Sequence, residues 1–138
     1  MTPTFADSAY YFALLNPDDR LHTATLRLSR GRRGPIVVTG FVLMELGDGL
    51  SRMNLRRGFI MLLASLRADP QVQIVPVSER LFERGMALYA DRPDKEWSLT
   101  DCTSFVVMRE HGLTEALTSD RHFEQAGFRA LLATGRSD

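Results

Sequence analysis

Apolar residues along the chain collect in short and long runs, and their alternation predicts the architecture. IVVT (36–39) and VQIVPV (72–77) are β-branched and short, as buried strands are. The segment ending at FAD (5–7), then EALTS (115–119) and FRALLA (128–133), read as further strands. Between them lie helical patterns. SAYYFALL (8–15) is closed by Asn16-Pro17, and from Asp18 to about Arg30 the residues Leu21, Ala24 and Leu28 recur at helical spacing. Residues 40 to 67 carry a long helical pattern that Gly47, Gly49 and Gly58 break into two helices. ERLFERGMALYAD (79–91) is the next helix; another opens at Ser98-Leu99-Thr100-Asp101 and runs to about His111, where Gly112 ends it. RHFEQAG is a short last helix closed by Gly127. Strands alternating with helices imply a mostly parallel central sheet flanked by helices, an α/β three-layer sandwich. No repeat, low-complexity tract or linker divides residues 1–138, so the pattern predicts a single domain.

Composition narrows the function classes. At 44% hydrophobic and 25% charged the chain is globular in character. Seventeen basic residues balance seventeen acidic ones, so no global field attracts a polyanion and any nucleic acid must be held by a local patch. Lys95 is the only lysine; arginines at 30, 32 and 33, at 52, 56 and 57, and at 121 are candidate phosphate contacts. No run approaches the roughly 20 apolar residues of a membrane span, and the first residues carry an Asp and no basic leader. The single cysteine, Cys102, allows no intramolecular disulfide and fits a reducing compartment, so the expected location is cytoplasmic.

In an open parallel sheet, ligands bind outside the carboxyl ends of the strands, and the polar residues expected there are mostly carboxylates. Asp7 follows the first strand and Asp120 the fourth, while Asp101 lies in the first turn of the helix before the fourth strand. Glu45 sits in the helix after the second strand among Val42, Leu43, Met44 and Leu46, where a carboxylate is costly unless paired or metal-bound. Gly49, one turn on, leaves room for a ligand to approach. Each Asp also has a plain structural explanation. Asp7 and Asp120 stand where N-caps stand, and Ser98-x-x-Asp101 resembles a capping box. Cap and ligand are compatible roles, because a helix N-terminus tolerates negative charge.

Taken together, the early Asp, the helix Glu and DCTSFVVMREHGLTEALTSDRHFEQAGF (101–128) resemble the PIN-domain ribonucleases, the family that includes VapC-type toxins. The resemblance spans nearly the whole chain and is most specific from Trp97 to Phe128. It implies a compact α/β domain whose three or four acidic residues hold Mg²⁺ or Mn²⁺ and cleave RNA endonucleolytically. Carried over by motif, the acidic set is Asp7, Glu45, Asp101 and Asp120, with Ser8, Thr39 and Ser104 in support. Asp7, Asp101 and Glu45 are expected to carry most of the metal contact, with Asp120 nearby or acting through water. The family also implies a homodimer and a small antitoxin partner.

The chemistry agrees with the donor set. Hard divalent cations held by carboxylates can activate water and neutralise the leaving oxygen of a phosphodiester, and an all-oxygen site disfavours zinc. Without metal, carboxylates in one cleft repel and hold protons, so the apo protein is expected to lose stability as pH rises and to regain it with metal. Three other readings differ in class. A Cys102/His122/Asp120 nucleophilic site needs a reactive thiolate, which the neighbouring Asp101 opposes. A phosphorylated receiver-type domain wants a lysine at the end of its last strand, and Lys95 is elsewhere. A catalytically silent module binding RNA or protein would use the acids only as caps.

Overall fold

Where the chain's apolar runs end decides its topology. The computed structural model describes residues 2–32 and 34–133, apart from the side chain of Met53. Five strands form one sheet: β1 Thr4–Ala6, β2 Ile36–Thr39, β3 Val72–Val75, β4 Glu115–Leu117 and β5 Arg129–Ala130. Their order is β3-β2-β1-β4-β5, and every pairing is parallel. Among the described residues, seven helices flank the sheet: α1 Ser8–Leu15, α2 His22–Gly31, α3 Gly40–Gly49, α4 Met53–Ala68, α5 Glu79–Asp91, α6 Leu99–Glu110 and α7 Arg121–Gln125. The chain winds from β1 outward through β2 to β3, then returns past β1 to β4. That reversal leaves a crevice above the carboxyl ends of β1 and β4, where ligands of doubly wound sheets bind.

Four boundaries depart from the sequence pattern, each for a local reason. β3 stops at Val75 because Pro76 has no N–H to continue the ladder. α2 starts at His22 instead of Asp18, because Asn16 and Asp19 accept the amides of Asp18 and Leu21 at 3.0 and 2.8 Å, forming successive Asx turns. β4 ends at Leu117, and the fully buried Thr118 beyond it turns its hydroxyl to the Asp7 carboxylate and the Asp120 amide. β5 spans two residues of FRALLA. The long pattern over 40–67 is two helices as expected, with Gly58 inside α4.

The core holds the site's supports. Phe105 of α6 packs edge-on against Trp97 and Phe123, with ring centroids 5.0 and 4.9 Å away, and Phe128 lies at 5.7 Å. Phe123 in turn meets Phe5 of β1 at 6.1 Å. These rings fix α6 and α7 against the sheet. On its other side α6 lies close to α5 at Gly85, where an added Cβ would come 2.5 Å from Thr103 Cγ2. Phe12, Leu14, Phe59 and Leu62 are half-buried and pack against this core.

Candidate active site

Register brings the first acid to the crevice. Ala6 of β1 pairs with Leu117 of β4, and the Asp7 amide donates to the Leu117 carbonyl at 3.2 Å, so Asp7 and Thr118 emerge side by side. Asp7 occupies the N-cap position of α1, yet its side chain makes no cap hydrogen bond. Its Oδ2 instead accepts from Thr118 Oγ1 at 2.7 Å in a setting that leaves Asp7 only 4% exposed. Burial pushes the Asp7 carboxyl up to about 7; the Thr118 hydroxyl opposes this, and the nearby Asp101 and Glu45 charges add to it. Capping therefore does not account for Asp7.

Asp101 and Asp120 are caps and something more. Ser98 and Asp101 form a full capping box, with bonds of 2.9 and 3.1 Å between each side chain and the other's amide. Asp120 caps α7 by accepting from the His122 amide at 2.9 Å, while its own amide donates to Thr118 Oγ1 at 3.0 Å. Because α6 leads down to the start of β4, its own first turn sits at the carboxyl edge of the sheet. There His122 Nδ1 lies 3.0 Å from Asp101 Oδ2 and 3.5 Å from Asp120 Oδ1. Burial raises the Asp101 pKa, which the His122 bond lowers and the Asp120 charge raises.

Glu45 approaches from α3, whose N-cap is Thr39; the Thr39 hydroxyl accepts from the Val42 amide at 3.0 Å. Glu45 is half-buried and accepts from Ser8 Oγ at 2.5 Å, which ties α3 to α1 and supplies the pairing that its apolar neighbours require. Ser104, one turn on from Asp101, is fully buried with an unpaired hydroxyl. At Gly49 the Phe12 ring packs where a Cβ would stand, while the glycine itself is exposed and lines a cavity of about 410 Å³. Among the described residues, the one group of three metal-ligating side chains within mutual reach is Asp101, Asp120 and His122, whose ligand atoms all lie within 4.8 Å of one another. Asp7 and Glu45 stand outside that close group, though near enough for both Glu45 and Asp101 to act on Asp7 electrostatically.

Two residues of this arrangement, Thr118 and His122, carry roles that sequence reasoning did not give them. Their signal lay in TSDRH: a hydroxyl two residues before and an imidazole two residues after an Asp at a strand end. Cys102 is fully buried, and its thiol pKa is raised by burial and by Asp101, so it is a poor nucleophile. Beside Asp120 and His122 runs a polar groove of about 610 Å³ whose cations are Arg20, Lys95 and Arg121. Arg32 donates instead to Thr4 Oγ1, at the far end of β1 from Asp7. Arg33 lies outside the described residues. Arg56 binds the Ser51 carbonyl at 2.5 Å near the start of α4.

The fold and donor set define a doubly wound α/β domain with an acidic cleft suited to a hard divalent cation. The PIN domain model matches residues 5–129, and the chain belongs to that family. It is 30% identical over 124 residues to the 23S rRNA-specific endonuclease VapC20 of Mycobacterium tuberculosis, covering 90% of this chain and 94% of the relative. The crystal structure of the M. tuberculosis VapC20, a Sarcin-Ricin loop cleaving toxin, superposes with a TM-score of 0.82 at 29% identity, over 91% of this chain and 95% of that one. The fold is shared with FitAcB from Neisseria gonorrhoeae, at TM-score 0.64 and 18% identity, over 92% of this chain and 94% of that one. It is also shared with VapBC2 from Rickettsia felis bound to a DNA fragment from its promoter, at 0.64 and 14%, over 93% and 96%. No helix among the described residues is long and apolar enough to cross a membrane.

Proposed function

We propose that this protein is a divalent-metal-dependent endoribonuclease that acts in the cytoplasm as the toxin of a toxin–antitoxin pair, with Asp7, Glu45, Asp101 and Asp120 as its acidic set. The observation that carries the reading is Asp7: a buried carboxylate at the switch point of the sheet, free of capping duty and held by Thr118. A bound Mg²⁺ or Mn²⁺ would supply an activated water and neutralise the leaving oxygen. Asp101 and Asp120 hold such an ion, Thr118 aims Asp7 at the cleft, and Ser8 aims Glu45 from α3. Arg20, Lys95 and Arg121 line the adjoining groove and bind the phosphates flanking the scissile bond. The partners are RNA, a small antitoxin that occupies the groove, and a second copy of the chain. Support for the last is the exposed apolar surface of Met44, Ile60 and Val77, which are 56%, 63% and 49% exposed.

A catalytically silent module remains the contrasting reading, since the satisfied caps at Asp101 and Asp120 suit it; the uncapping Asp7 does not. Incubation with RNA, ribosomal RNA first because the relative is named for it, separates the two. The wild type should cut internally with Mn²⁺ and stop with a chelator, and Asp101→Asn should lose the activity. RNA binding without cutting would favour the silent module.

A further inference from the structure

His122 is the feature that the acidic set does not absorb. It brings a nitrogen donor into a cleft whose other donors are carboxylates. Its ring nitrogen Nδ1 stands 3.0 Å from Asp101 Oδ2 and 3.5 Å from Asp120 Oδ1. Neighbouring ligands of an ion bound at about 2.1 Å lie about 3.0 to 3.5 Å from one another in octahedral or tetrahedral geometry. His122 thus stands at ligand spacing from each Asp, and the three ligand atoms all lie within 4.8 Å of one another. The other histidines have different environments: His22 Nδ1 pairs with the Ala13 carbonyl at 2.7 Å, and His111 closes α6.

The backbone that carries the ring is fixed from three directions. The His122 amide donates to Asp120 Oδ1 at 2.9 Å. The next residue, Phe123, is fully buried against Phe105 and Phe5. Trp97 Nε1 donates to Gln125 Oε1 at 3.0 Å and holds the far end of α7. An imidazole on so constrained a turn loses little freedom on binding an ion, which is the condition for a strong ligand.

We propose that His122 Nδ1 is a direct ligand of the divalent ion, giving an Asp101–Asp120–His122 site that prefers Mn²⁺ to Mg²⁺. This rests on the acidic cleft being a metal site, as set out above. Imidazole suits transition-metal ions, whereas Mg²⁺ takes carboxylates and waters, so the nitrogen shifts selectivity without being needed for hard-ion binding. A positioning role, in which His122 only orients Asp101, would weaken both ions alike.

The test is pulsed EPR of the full chain loaded with Mn²⁺, with and without ¹⁵N-histidine, beside calorimetric affinities for Mn²⁺ and Mg²⁺ in the wild type and His122→Asn, each checked for folding by circular dichroism. Asn keeps a donor near Asp101 while removing the imidazole. The expected result is a nitrogen coupling that changes with ¹⁵N and disappears in His122→Asn. Mn²⁺ affinity should fall on the order of 10-fold or more, with Mg²⁺ affinity within about threefold of wild type. Mn²⁺ bound without nitrogen coupling, or equal losses for both ions, overturns the ligand role and leaves the acidic site standing. Failure of the wild type to bind Mn²⁺ overturns both.

Discussion

Asp7 carries the strongest electrostatic consequence of the fold. Its carboxyl is raised from 3.8 to about 7 because burial disfavours the charged form. The folded chain therefore holds this proton more tightly than the unfolded chain, so stability falls as pH rises from about 4 to about 7, and the whole penalty is present above that. Its size is on the order of 4 kcal/mol in the metal-free protein. Asp7→Asn should raise the melting temperature of the apo protein at pH 8, change it little at pH 4, and flatten the profile between; equal shifts at both pH values would mean Asp7 is ionised throughout. Thr118→Val keeps the shape but removes the donor to Asp7 and the acceptor for the Asp120 amide. It should cost about 1 to 3 kcal/mol at pH 8 by denaturant titration and move the pH dependence upward, since the Thr118 bond lowers the Asp7 pKa. A sequence displays the acids but not these partners. Asp7, Asp101 and Asp120 stand at element boundaries that punctuation in the chain reveals. Thr118 reaches Asp7 through the register of β1 against β4, and His122 reaches Asp101 where α7 meets the first turn of α6.

At the level of elements, the cleft depends on how α6 and α7 meet. Phe123 sits between Phe5 and Phe105, so Phe123→Ala should cost about 3 to 5 kcal/mol and loosen the spacing of Asp101 from Asp120. Unfolding curves with Mn²⁺ binding measured on the surviving folded fraction check both effects. A stability change under about 1 kcal/mol would show that the aromatic cluster does not set the geometry. Gly85→Leu drives a side chain into Thr103 and should destabilise by about 1 to 3 kcal/mol through separation of α5 from α6. The alternation of strands and helices was legible because β-branched runs and helical periodicity differ, and the break between α3 and α4 was legible from its glycines. The start of α2 was not, because helical spacing over 18–30 is indifferent to the side-chain bonds by which Asn16 and Asp19 hold a turn. At Gly49 the sequence does not foretell that the Phe12 ring packs where a Cβ would stand.

Across the whole molecule, the proposed acidic site adjoins a polar groove, and Met44, Ile60 and Val77 are exposed apolar residues away from it. If Met44, Ile60 and Val77 join two copies, Ile60→Glu should yield monomers by analytical ultracentrifugation with Mn²⁺ binding intact. An unchanged sedimentation coefficient would place the interface elsewhere. The net charge of zero says nothing of where the cations stand, and the groove itself is mixed, with Arg20, Lys95 and Arg121 beside Asp94, Glu96 and Asp120. The proposed nuclease requires Asp7 and Asp101 to serve one ion. Calorimetric titration of Mn²⁺ into the metal-free wild type, Asp7→Asn and Asp101→Asn, all folded, tests that most directly. A shared ion gives saturable binding by the wild type and binding weaker by on the order of 10-fold or more in both variants. Equal affinity in all three, or no uptake by the wild type, would contradict it.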